Sequence, residues 1–120
     1  MNPEKITELT EALRAAVVAV HDAEANLAID QSQLDLHEAR LSLQVLTAVG
    51  DDGKALHTND TARKAAIQFA AANDATVLTA LGRVQADRSE LAEASAVLEA
   101  KRAEIKLWCA MLNSRAEVER

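Results

Sequence analysis

The chain has 120 residues, with 13 Lys and Arg against 19 Asp and Glu, a formal net charge of −6 and room for one domain. Hydrophobic residues make up 49 %, yet 26 of them are alanine, the only aromatics are Phe69 and Trp108, and there are three glycines and one proline. That composition belongs to long helices and excludes a sandwich, a barrel or a Rossmann sheet; the single Cys109 excludes an intramolecular disulfide and a multi-cysteine zinc site.

Asn2-Pro3-Glu4 reads as a helix start, with Asn at the N-cap, Pro at the first helical position and an acid in the first turn. The first helix is predicted over about 3–49. Gly50 stands where a left-handed C-terminal cap belongs. Residues 50–59 hold two of the three glycines and form the expected loop. Asn59 or Asp60 then caps a second helix predicted over about 60–118. Gly82 lies inside it at a cost of about 1 kcal/mol relative to Ala. Asn73-Asp74 is the place for a kink or a fresh start.

Periodicity supports two long helices. Ile6, Leu13, Val20, Leu27, Leu34, Leu41 and Ala48 recur every seven residues, as do Ala70, Val77, Val84, Leu91, Leu98, Ile105 and Leu112. Rows of this length predict coiled-coil seams. The flanking positions Leu9, Ala16, Ala23, Asp30, His37 and Gln44 turn from apolar to polar midway, and Ala66, Ala80 and Ala94 flank the second row. Small residues let helices approach closely, so the fold class expected is all-α: a long antiparallel helical hairpin, residues 1–120, closed by the 50–59 loop.

A second row, Ile29, Leu36 and Leu43, sits two residues after seam positions, about 200° around the helix. A helix that is apolar on two sides needs two neighbours. Leu107, Trp108, Met111 and Leu112 repeat the pattern near the end of the second helix. These seven residues are the expected interface for a homo-oligomer, most simply a four-helix dimer, or for a protein partner. The alternative is a break at Asp30-Gln31-Ser32-Gln33 that folds the first helix back on itself.

Catalytic and metal residues are not expected, nor is a cofactor. His21 and Glu24 have the order His-x-x-Glu, the reverse of the diiron Glu-x-x-His pattern. His37 lies on the polar side of the seam and His57 in the loop. Cys109, between Trp108 and Met111, reads as a buried packing residue rather than a nucleophile. Gly50-Asp51-Asp52-Gly53-Lys54 lacks the length and the hydroxyl residue of a phosphate-binding loop. Residues 1–5 lack the pattern of a signal peptide, and the apolar run Ala15–Val20 is far short of the roughly 20 residues of a membrane span. The expectation is a cytoplasmic protein without membrane contact.

Residues 1–50 hold eight acids and three bases, a balance of −5, whereas residues 51–120 hold eleven acids and ten bases. Arg63, Lys64, Arg83, Arg88, Lys101, Arg102 and Lys106 are the candidate phosphate contacts. They form no continuous stripe, and acids intervene, so nucleic-acid binding is not favoured. The function expected is non-catalytic binding of a macromolecular partner; the alternatives are a nucleic-acid-binding accessory factor in recombination or replication, and a small acidic protein inhibitor whose acidic first helix or 50–59 loop docks on a basic protein.

The layout resembles small coiled-coil proteins of phages and prophages, some encoded near recombination or replication genes. The resemblance is carried by the long first helix, Gly53-Lys54, Asn59-Asp60-Thr61-Ala62-Arg63-Lys64-Ala65, the end Ala103-Glu104-Ile105-Lys106-Leu107-Trp108, and Ser114-Arg115-Ala116-Glu117. It covers the general plan of most of the chain and implies an accessory, non-catalytic role. This chain has fewer aromatics in its second helix than that pattern favours.

Overall fold

The structure, a computed structural model, describes residues 3–119, with side-chain environments over 3–116. The elements are α1 (Pro3–Thr47), α2 (Asp60–Asn73) and α3 (Ala75–Glu119), with no strand among the described residues. The expected N-cap Asn2 lies outside them. α1 runs without interruption through Asp30–Gln33, so the fold-back alternative does not occur.

α1 ends at Thr47 rather than near 49, and Gly50 is not its left-handed cap. The one glycine with positive φ is Gly53, at 77°. Residues 48–56 close instead as a miniature hairpin. The Gly53 N–H donates to the Gly50 carbonyl at 3.0 Å and the Gly50 N–H to the Lys54 carbonyl at 2.9 Å. The Leu56 N–H donates to the Ala48 carbonyl at 2.9 Å, and Val49 and Ala55 form an isolated antiparallel bridge. A turn followed by a left-handed glycine is a favoured three-residue hairpin loop, which is why Gly53 takes the conformation expected of Gly50. Asp52 Oδ1 accepts from the Lys54 N–H at 3.0 Å and holds the turn further.

Asn59 caps α2, its Oδ1 accepting from the Ala62 N–H at 2.7 Å. The helix expected over 60–118 is divided at Asp74. That residue leaves helical geometry (φ −96°, ψ 116°), and its N–H donates to the Ala71 carbonyl at 3.4 Å. Its carboxylate accepts from the Val77 N–H at 2.9 Å and starts α3. An aspartate can do both because its side chain satisfies the donors that the first helical turn leaves free.

Packing falls into two compact units, a central one of Leu27–Ala86 and a terminal one of Met1–Asn26 with Asp87–Arg120. The central core joins Leu34 and Leu41 of α1 to Val77, Ala80 and Val84 of α3, with Leu27, Ala70, Ala71 and Leu81 packed against it. In the terminal unit Leu9, Ala16, Ala23 and Leu98 are buried. Thus the buried α1 residues of the terminal unit come from the flanking row, and those of the central unit from the predicted seam. Ile6, first of that seam, is 52 % exposed. Seven residues fall about 20° short of two helical turns, so a strict heptad row drifts off the contact side. The four-residue step from Ala23 to Leu27 restores about 40°.

A Cβ placed on Gly82 meets nothing within 4 Å, so this glycine serves no close approach. Gly82→Ala is expected to stabilise the fold by about 0.5–1 kcal/mol, raising Tm by roughly 2–4 °C. Asp74→Ala is expected to lower stability by about 1 kcal/mol through loss of the cap. Thermal melts followed by circular dichroism check both.

Candidate interaction surface

The row Ile29, Leu36 and Leu43 is exposed by 62, 56 and 60 %. It occupies the side of α1 away from the central core, because a two-residue offset from Leu27, Leu34 and Leu41 turns about 200° around the helix. Leu46, Val49 and Leu56 are also exposed. In the terminal unit Leu107, Met111 and Leu112 are exposed, whereas Trp108 is half-buried. Lys5 Nζ lies 5.4 Å from the centre of the Trp108 ring and 4.0 Å from Glu104 Oε1. The seven expected interface residues therefore divide between the units: Ile29, Leu36 and Leu43 in the central one, the other four in the terminal one.

Cys109 is exposed, which corrects the expectation that it is buried. Its chain neighbour Trp108 turns inward, but consecutive helical residues point about 100° apart.

Where the flanking row turns polar, the central unit carries a groove of about 380 Å³ whose polar lining is Asp30, Gln33, His37, Thr76, Thr79 and Arg83. His37 Nδ1 is buried in the protein without a hydrogen-bond partner. The set mixes hydrogen-bond donors and acceptors. His21 Nδ1 stands 3.9 Å from Glu24 Oε2 on an exposed face, and His57 contributes its carbonyl, which accepts from Arg63 Nε at 3.3 Å. Among the described residues no group of three or more His, Cys, Asp or Glu is arranged to hold a metal ion, and no helix is long and apolar enough to cross a membrane.

The candidate phosphate contacts are dispersed. Arg63, Lys64 and Arg83 belong to the central unit, and Arg88, Lys101, Arg102 and Lys106 to the terminal one. Arg63 approaches Asp60 at 3.4 Å, Lys101 approaches Glu104 at 3.6 Å and Arg102 pairs with Glu99 at 3.0 Å. Lys64, Arg83, Arg88 and Lys106 are exposed.

Phe69, at 73 % exposure, was not singled out by the heptad pattern. Its signal is adjacency to the seam residue Ala70: one position away on a helix is about 100° off the core. α2 has no buried residue at all.

Lys5 links Trp108 to the start of α1, so Lys5→Met is expected to shift Trp108 fluorescence and to destabilise the terminal unit by about 0.5–1 kcal/mol. Urea unfolding followed by tryptophan emission measures this. An unchanged spectrum and midpoint would show the contact to be idle.

The chain matches no protein-family model, no curated protein and no solved structure.

Proposed function

We propose that this chain is a non-catalytic coiled-coil interaction protein of the cytoplasm. In this reading it forms an antiparallel helical hairpin, assembles with further copies into a helical bundle, and acts by holding a macromolecular partner. The observation that carries the reading is the exposed row Ile29, Leu36 and Leu43 on a helix whose opposite side already forms the core. Covering each half-exposed side chain is worth about 1 kcal/mol, and a row of them is a driving force for association. Leu107, Trp108, Met111 and Leu112 form a second contact area. The resemblance to phage and prophage coiled-coil proteins fits an accessory role.

A docking role on a basic protein is the second reading. Glu4, Glu8 and Glu11 line one shallow concavity with Pro3 and Thr7 on the first turns of α1. Nucleic-acid binding is less favoured, because Arg63, Lys101 and Arg102 are already engaged with neighbouring acids.

Size-exclusion chromatography with light scattering, with and without a short single-stranded oligonucleotide, tests these readings. A discrete oligomer at micromolar concentration that ignores the oligonucleotide is expected. Trp108→Ala should weaken assembly by about 2 kcal/mol while helicity is kept. A monomeric mass at tens of micromolar would overturn the self-association, and an oligonucleotide-dependent shift would transfer the function to nucleic acid.

A further inference from the structure

We infer that the outer ridge of α1 in the central unit seats the same ridge of a second copy, the two helices running antiparallel with Leu36 of each against Ala39 of the other. The inference rests on the self-association proposed above and adds its surface, direction and register.

The ridge is a complete seam in its own right. Ile29, Ser32, Leu36, Ala39, Leu43 and Leu46 are spaced three, four, three, four and three residues apart, and all six are exposed. Alternating steps of three and four are the mark of a coiled-coil interface. α1 thus bears two such seams over the same turns, and the chain itself covers one.

Residue sizes decide the direction. In a parallel pair each residue meets its own copy, so Leu36 and Leu43 layers are separated by Ser32 and Ala39 layers. Large–large and small–small layers alternate about 5 Å apart, and straight helices cannot follow both spacings without leaving voids beside the small residues. In the antiparallel pair Leu36 meets Ala39 and Leu43 meets Ser32, so the four central layers each combine one large and one small side chain. Ile29 against Leu46 closes both ends. Alternating sizes across facing positions is how helix layers interdigitate without voids.

The flanks agree. The antiparallel register brings Asp35 to Ser42 and Arg40 to Gln33 of the second copy, so the carboxylate faces a hydroxyl donor and the guanidinium faces an amide oxygen. No like charges meet. The parallel register would offer an Asp35–Arg40 pair instead, but exposed ion pairs contribute too little to outweigh two unfilled layers. Over residues 29–46 the contact is about 26 Å long. It buries roughly 1,000 Å² in total, the lower limit for a specific interface.

Disulfide trapping tests direction and register in the full-length chain with Cys109→Ser as background. Ser32→Cys and Leu43→Cys proteins are mixed in equal amounts at about 100 μM, a concentration at which even a contact of about 10 μM dissociation constant is mostly formed, and oxidised mildly. The mixed disulfide should dominate. Leu36→Glu, at an exposed position, should keep its helicity and weaken dimerisation at least a hundredfold by placing a charge in the seam. Like-with-like disulfides would overturn the antiparallel direction. A dimer by light scattering that forms neither disulfide, or that Leu36→Glu leaves intact, would overturn this ridge while sparing the broader self-association. A monomer would overturn both.

Discussion

The hydrogen bond from the Val77 N–H to the Asp74 carboxylate organises most of what is distinctive in the central unit. It restarts the chain as α3 in a phase that sends Val77, Ala80 and Val84 toward Leu34 and Leu41 of α1. Val84 is fully enclosed as a result. The same residue ends α2. In an unbroken helix Ala70 would stand one heptad before Val77, and Phe69 would point about 100° away from that row. With the break, α2 contributes only the partly buried Ala70 and Ala71 to the core.

Much of this was legible in the sequence, and the misses share a cause. Seven-residue recurrence located Leu34, Leu41, Val77, Val84 and Leu98 because a core-facing row must recur at that interval. It could not say that Leu9, Ala16 and Ala23 would be more buried than their seam neighbours, since the drift of a straight helix against a heptad repeat depends on how far it supercoils. Gly50 and Gly53 are equivalent on composition alone. Which one turns left-handed depends on the hydrogen bonds that close 48–56, a tertiary fact only nine residues wide. Cys109 was misjudged by reading chain neighbours where helix faces were required.

The core interleaves small and large residues, and further large ones lie outside. Ala16, Ala23 and Ala80 are buried beside Leu9, Leu34, Leu41, Val77, Val84 and Leu98, whereas Ile29, Leu36, Leu43 and Phe69 are exposed. Alanine at some of the buried positions permits close backbone approach, and a contact between two helices is too narrow to cover every apolar row. The apolar bulk left outside is then available to other molecules. The candidate surface was therefore visible as a surplus of apolar rows over the neighbours one chain can supply. Its polar flanks, Asp35, Arg40, Gln33 and Ser42, gain meaning only once the ridge they border is known to be exposed.

α2 also sets a kinetic hierarchy. It has 14 residues, none buried, and is bounded by a cap at each end. Helices of that length are marginal in isolation, and this one draws little from tertiary contacts. Its amide protons should therefore exchange through local opening events that leave α1 and α3 paired, and a protease would cut there before the remainder unfolds. The segment between the miniature hairpin and Asp74 is in this sense a local opening unit that can come undone while the pairing of α1 with α3 persists.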